Sequence, residues 1–169
     1  MDEVHFQQYG SRGRMWIPPE IRDPVVMHHP TRQSVGYFGA VRLRDGKLVT
    51  AREATMFDAQ TTWNFYTLLR RSAATCRRRV VVILDNARYH HARLHREWRE
   101  AFAPHFQLFF LPAYSPELNP IERVWKLTRR LCLHNRYFAE LSQVAVAVEQ
   151  CFAAWNHGSS TLMKLCAIA

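Results

Sequence analysis

The fifteen residues LPAYSPELNPIERVW, Leu111 to Trp125, decide how this chain is read. They hold three prolines and follow directly on the apolar run FQLFF at 106–110. A strand stops, the chain turns stiffly, and a helix opens after Asn119 and Pro120. Asn is a favoured N-cap, and Pro suits the first helical position. Glu122 falls three residues after that cap, where a capping box would fold it back onto the cap backbone. The same fixed start would also aim its carboxylate at one point in space, as a metal ligand requires. The two readings compete, because a carboxylate bonded to its own cap is less free to hold an ion.

Upstream, VVVIL at Val80 to Leu84 is a continuous apolar run, four of its five residues β-branched. Such a run predicts a strand buried on both faces. It ends on Asp85 and Asn86, a pair that reads either as turn chemistry or as an acid at a strand's carboxyl end. Ligand sites in open α/β sheets gather at such ends. A helix is expected from about His91 to Phe102, burying Leu94, Trp98 and Phe102. Another follows Pro120, with Ile121, Val124, Trp125, Thr128 and Leu131 inward. A last one runs from about Leu141 to Trp155 over Val144, Val148, Cys151 and Trp155. Earlier, Asp58 can cap a helix over AQTTWNFYTLLRRSA with a stripe of Trp63, Phe65, Tyr66 and Leu69. Residues 1–50 read as β, with VGYFGAVRL at 35–43, a DGK turn at 45–47 and then LVTA. The segment DPVVMHHPTRQS reads as a loop or a short edge strand, and residues 156–169 give no clear signal. This order predicts one α/β domain over 1–169, helices covering a mixed sheet.

The chain has 169 residues, 48% apolar and 22% charged, an ordinary globular balance. Its charge is not ordinary. Lys and Arg number 23 against 14 acids, a formal net charge of +9. That surplus points to a polyanion, nucleic acid before membrane. No run reaches the ~18 apolar residues of a spanning helix. The opening MDEVHF is acidic and unlike a signal peptide. Cys76, Cys132, Cys151 and Cys166 are scattered, which fits reduced thiols in the cytoplasm.

Asp85 and Glu122, each near the carboxyl end of a buried strand, would repel unless a cation sat between them. Mg²⁺ takes oxygen ligands, typically one or two carboxylates plus phosphate oxygens. A pair of such ions can activate a nucleophile on one side of a phosphodiester and stabilise the leaving oxygen on the other. Asp2 or Glu3 is a third candidate, although a charged amino end is usually frayed.

With these residues in view, ILDNARYHHA and LPAYSPELNPIERVW resemble the catalytic core of the DDE transposases. The likeness is to the mariner-like bacterial insertion-sequence family numbered 630. The matching residues are Asp85, Asn86 and His90, then Pro112, Tyr114, Ser115, Pro116, Leu118, Asn119, Pro120, Ile121, Glu122 and Trp125. DEVHFQQYGSRGRMW resembles the segment around the family's first acid, which makes Asp2 that carboxylate. Glu122 stands 37 positions after Asp85, a typical separation for the group. VGYFGAVRLRDGKL resembles a further strand and turn.

The resemblance implies an RNase H-like fold, shared with retroviral integrases. It implies Asp2, Asp85 and Glu122 as the catalytic and metal-binding triad for two Mg²⁺ or Mn²⁺ ions. The implied reaction is strand cleavage at transposon ends, then joining of the freed 3′ hydroxyl to target DNA. Implied partners are terminal inverted repeats, target DNA and a second copy on the DNA, in the cytoplasm at the bacterial nucleoid. The alternative is an inactive truncated remnant or accessory DNA-binding module. In the family the first aspartate lies near the end of a central strand, so most of that strand is expected to lie upstream of Met1. The helix-turn-helix that precedes the family's core is likewise not in the sequence.

Among the bases, Lys126 and Arg130 lie one and two turns past Glu122 on its side of the helix. With Arg123, Arg88 and His90 they are the expected DNA-backbone contacts, independent of base sequence and weakened by salt. Arg77, Arg78 and Arg79 precede a strand and read as a solvated run. His91 and His95 have a spacing that can bind zinc but lack a third ligand.

Overall fold

The computed structural model describes all residues except 10, 23, 24, 26, 28, 54, 55, 74–78, 114, 168 and 169. β1 (Asp2–Gln7), β2 (Ser34–Arg42) and β3 (Lys47–Glu53) form an antiparallel sheet in that order. The β2–β3 turn needs Gly46, whose φ of 67° is poorly tolerated by residues with a Cβ. Helix α1 (Ala59–Ala73) opens on Asp58, whose Oδ1 accepts the Thr61 N–H at 2.8 Å. Its buried stripe is Thr62, Phe65, Tyr66 and Leu69, with Trp63 only half-buried.

β4 (Val80–Leu84) and β5 (Phe106–Phe110) pair in parallel. They were expected to be covered on both faces. Val82, Leu84 and Phe106 are buried, but Val81 and Phe109 are exposed, so one face of this pair is open. Between the two strands the expected long helix is shorter, α2 (Arg96–Phe102), preceded by two 3₁₀ turns at 88–91 and 93–95. The reason is local. His90 and His95 turn inward, and the His95 ring bonds the Tyr89 carbonyl at 3.0 Å, holding the chain out of α-helical register. Leu94 is left exposed.

Helix α3 (Pro120–Thr128) buries Ile121, Val124, Trp125 and Thr128 as expected, and Leu131 differs. The helix widens to a π turn over Arg129–Leu133. The longer turn shifts the phase, so Cys132 and Leu133 face inward and Leu131 faces solvent. α4 (Leu141–Ala153) starts at a capping box of Glu140 and Gln143, and α5 (Ser160–Leu165) is capped by Ser159. α3, α4 and α5 share one core with β1 and β2, while α1, β4 and β5 share a second with Phe38.

Asp2 opens β1, and the strand runs on from it rather than ending there. The two sheets meet at Met1, whose buried ammonium donates to the Ile83 carbonyl at 2.6 Å. Past that contact Ala40–Arg42 pair with β3, and Val80–Leu84 pair with β5. Between β2 and β4 lies a cavity of about 470 Å³, lined by Met1, Ala40, Val41, Val80 and Val82 among others.

Candidate active site

Asp2, Asp85 and Glu122 line one cavity of about 410 Å³, with Asn86, Pro112 and Asn119 among its other walls. Three elements far apart in sequence deliver them. β1 supplies Asp2, and the end of β4 supplies Asp85. The stiff turn after β5 supplies Glu122 in the first turn of α3.

The competition at the helix start is resolved. Asn119 makes no side-chain cap; instead its Nδ2 donates to the Met1 carbonyl at 3.2 Å, tying α3 to the start of β1. Glu122 therefore closes no capping box, and its side chain lines the cavity. At Asp85, Oδ1 accepts the Ala87 N–H at 3.2 Å. The turn chemistry is present, and it leaves the carboxylate half exposed on the cavity wall.

Asp2 is held from below. Its Oδ2 accepts the indole N–H of Trp125 at 3.1 Å, and Trp125 is only 1% exposed. The indole packs against the backbone at Gly39, where an added Cβ would stand 2.7 Å from Trp125 Cζ2. Burial, and then the like charge of Glu122, push the Asp2 carboxyl up to about 7. Glu3, next along the strand, goes to the opposite face. Burial pushes its carboxyl up to about 7 as well, although the Tyr89 hydroxyl donates to Oε2 at 2.8 Å and opposes that shift.

These shifts set a sign. A carboxyl whose folded pKa is raised binds its proton more tightly when folded, so its contribution to stability is lost as pH climbs towards that pKa. Asp2→Asn is expected to raise the melting temperature of the metal-free chain at pH 8, and the advantage should shrink as pH falls from about 7 towards 4. Thermal melts at four pH values check this; an advantage that grows on acidification contradicts it.

The donor set fits a hard divalent ion: three carboxylates, all oxygen ligands, two of them already repelling. Among the described residues no three Asp, Glu, His or Cys side chains are gathered tightly enough to clasp one ion. Asp2, Asp85 and Glu122 line the walls of a shared space instead.

The expected DNA contacts divide. Arg88, Lys126 and Arg130 are exposed. Arg123 is exposed but its guanidinium donates to the Leu165 and Ala167 carbonyls at 3.0 and 3.2 Å, bracing the C-terminal segment. His90 is wholly buried, so it has no surface to offer a phosphate; burial had no signal in a histidine amid polar neighbours. His91 instead stacks on Phe110, and His95 points at Tyr89, so the two do not form a zinc pair. Arg79 reaches the Pro104 carbonyl and Gln107 at the far end of β4, while Arg77, Arg78, Tyr114 and Cys76 lie outside the described residues. Cys132, Cys151 and Cys166 are free thiols. Reading the residues one at a time named Glu3 only as an alternative to Asp2, and missed Tyr66 and the indole N–H of Trp125. Strand alternation was the one available signal, and it applied to Glu3.

Comparison with known proteins follows the same outline. The profile of the DDE superfamily endonucleases matches residues 1–145. The chain belongs to the DDE superfamily endonuclease family. An insertion element IS630 39 kDa protein of Shigella sonnei is 32% identical over 82 residues, 47% of this chain and 24% of that protein. The y4pE/y4sA protein of Sinorhizobium fredii is 40% identical over 76 residues, 45% of this chain and 50% of that one. This DDE endonuclease chain thus matches half or less of those relatives' length. The fold is that of the Mos1 mariner transposase, RNase H-like. The Mos1 paired-end complex with Mn superposes with a TM-score of 0.68 at 20% identity, over 98% of this chain and 50% of that one. The isolated Mos1 catalytic domain gives 0.56 at 20%, over 79% and 71%.

Proposed function

We propose that this DDE-family chain is the catalytic domain of an insertion-element transposase. In this reading it cuts DNA strands at the element's ends and joins the freed 3′ hydroxyl to target DNA. The carrying observation is that Asp2, Asp85 and Glu122, brought from β1, β4 and α3, line one cavity. These three would hold Mg²⁺ or Mn²⁺, two ions in the full reaction. Bound there, the ions would supply Lewis-acid stabilisation of the attacking and leaving phosphodiester oxygens.

The chain's own residues hold the site in place. Trp125 fixes Asp2, the Asn119 side chain locks the α3 start against Met1, and Ala87 orients Asp85. Arg88, Lys126 and Arg130 are the exposed bases that would meet the phosphate backbone, and the chain's net charge of +9 supports a DNA partner. Two of the similar Mos1 structures are paired-end complexes, one of them with a transposon end, which supports DNA ends as the partner; a second copy acting on the DNA belongs to this proposal. Among the described residues no helix is long and apolar enough to cross a membrane, and this reading places the chain in the bacterial cytoplasm at the nucleoid.

The test supplies Mn²⁺ with two substrates side by side, a terminal-repeat duplex and an RNA–DNA hybrid. Nicking at the repeat end supports the proposal. Cutting of the hybrid alone makes the chain a hybrid nuclease instead.

A second reading is a catalytically silent remnant that binds DNA, for which the net charge of +9 would suffice. An extended apolar segment joined ahead of Met1 could pair antiparallel to β2 and parallel to β4. Five such residues are expected to raise the melting temperature by several degrees and increase nicking, whereas a Gly-Ser extension should do neither. No gain from the apolar extension, with no nicking in either form, favours the remnant.

A further inference from the structure

Outside the lining of the cavity, next to Asp85, the buried His90 and Tyr66 meet the half-buried Glu3 and Tyr89, and the chemistry above leaves these four polar side chains without a task. His90 Nδ1 lies 2.9 Å from the Tyr66 hydroxyl. Its Nε2 lies 3.3 Å from Asp85 Oδ1 and 3.7 Å from Glu3 Oε1. Glu3 is anchored through Oε2 by the Tyr89 hydroxyl. Among the described residues, His90 Nε2 and Glu3 Oε1 are both buried without a well-aligned hydrogen bond. Buried polar atoms are seldom left so without a reason.

Only one tautomer suits this arrangement. If Nε2 were bare, its lone pair would face two carboxylate oxygens. If Nε2 carries the proton, Nδ1 is the acceptor and the Tyr66 hydroxyl donates to it. The ring then points an N–H between Asp85 and Glu3. Ala87 N–H and this N–H both approach Asp85 Oδ1, which leaves Oδ2 for a ligand in the cavity.

We propose that His90 is a positioning residue for Asp85: Tyr66 sets its tautomer, Glu3 braces the ring, and its Nε2–H holds the Asp85 carboxylate ready for a divalent ion. The proposal rests on the reading of Asp85 as a metal ligand. It also explains why the pair Asp2 and Glu3 contributes to both sides of the site. Asp2 lines the cavity on one face of β1, and Glu3 supports the Asp85 partner on the other. Such outer partners typically govern ligand strength by 10–100-fold.

The experiment is calorimetric titration of Mn²⁺ into the whole chain, without DNA, for the unaltered protein, His90→Phe, His90→Gln, Tyr66→Phe and Asp85→Asn. Nitrogen-15 spectra of the imidazole rings accompany it. His90→Phe keeps a buried ring but removes the N–H, and is expected to weaken Mn²⁺ binding by about tenfold or more. His90→Gln restores an N–H at similar reach and should recover much of that loss. The spectra of the unaltered chain should show His90 protonated on Nε2. Unchanged affinity in folded His90→Phe overturns the proposal, and so does an equal loss in the Gln and Phe variants. If His90→Phe does not fold, Tyr66→Phe decides: wild-type affinity with an unchanged tautomer overturns it. If the unaltered chain binds no Mn²⁺, or Asp85→Asn binds as well as it does, the triad reading itself fails. The spectrum still decides the tautomer, and a proton on Nδ1 overturns the positioning role independently.

Discussion

Glu122→Gln is expected to abolish Mn²⁺-dependent nicking of a terminal-repeat duplex while leaving the circular dichroism spectrum and melting temperature near normal. The side chain lines the cavity, closes no capping box and is only half-buried, so an isosteric amide disturbs little packing. What it removes is one of three negative charges available to a pair of dications. Loss of several kcal/mol of transition-state stabilisation corresponds to about three or more orders of magnitude in rate. The stability change has a definite direction too. Removing Glu122's charge relieves the repulsion that helps push Asp2 up, so the metal-free variant should melt slightly higher than the parent at pH 8. A variant that still cuts within tenfold of the parent would take Glu122 out of the triad.

Trp125→Ala is expected to have the largest effect on stability. The indole is buried beneath β1 and β2 against Phe6 and Phe152, with ring centroids 6.3 and 6.0 Å away, and it fills the space left by Gly39. Truncating a buried Trp costs about 3–5 kcal/mol in transfer and cavity terms, a large part of a domain's whole stability. It also removes the N–H that holds Asp2 Oδ2. Trp125→Phe separates the two effects, since it restores most of the volume but not the donor. Urea titration should show the Ala variant far less stable and the Phe variant intermediate. Mn²⁺ binding per folded molecule should fall in both. Full Mn²⁺ affinity in the Phe variant would show that the indole N–H does not hold Asp2.

Much of this arrangement was legible in the residues. Val80–Leu84 is apolar and β-branched, and Phe106–Phe110 is rich in aromatics, so both read as strands. The segment ending NPIER fixes a helix start whatever surrounds it. What the residues hid was set by contacts distant in sequence. Whether Asn119 caps its own helix or reaches across to Met1 depends on where β1 docks, and no local pattern shows that. His90 is drawn inward because Tyr66, 24 positions earlier, offers a hydroxyl inside the core. Leu131 reads as inward on a 3.6-residue period and fails because it lies within a π turn over Arg129–Leu133. The exposed face at Val81 could not be foreseen from a run that is apolar throughout, whereas at Phe109 the one signal was Gln107, two residues earlier on the same face. Asp85 and Glu122 stood out as candidates because a strand end and a proline-stiffened turn are local features, whereas Asp2 rested on the resemblance. Their convergence was supplied by the tertiary fold.

The claim beneath all of this is that Asp2, Asp85 and Glu122 share divalent ions. Anomalous diffraction from crystals soaked in Mn²⁺, recorded on the low-energy side and high-energy side of the manganese edge, tests it most directly. The account predicts one or two anomalous peaks within ligand distance, about 2.0–2.3 Å, of oxygens from all three carboxylates. Manganese bound elsewhere on the chain while this cavity stays empty at saturating concentration would contradict it.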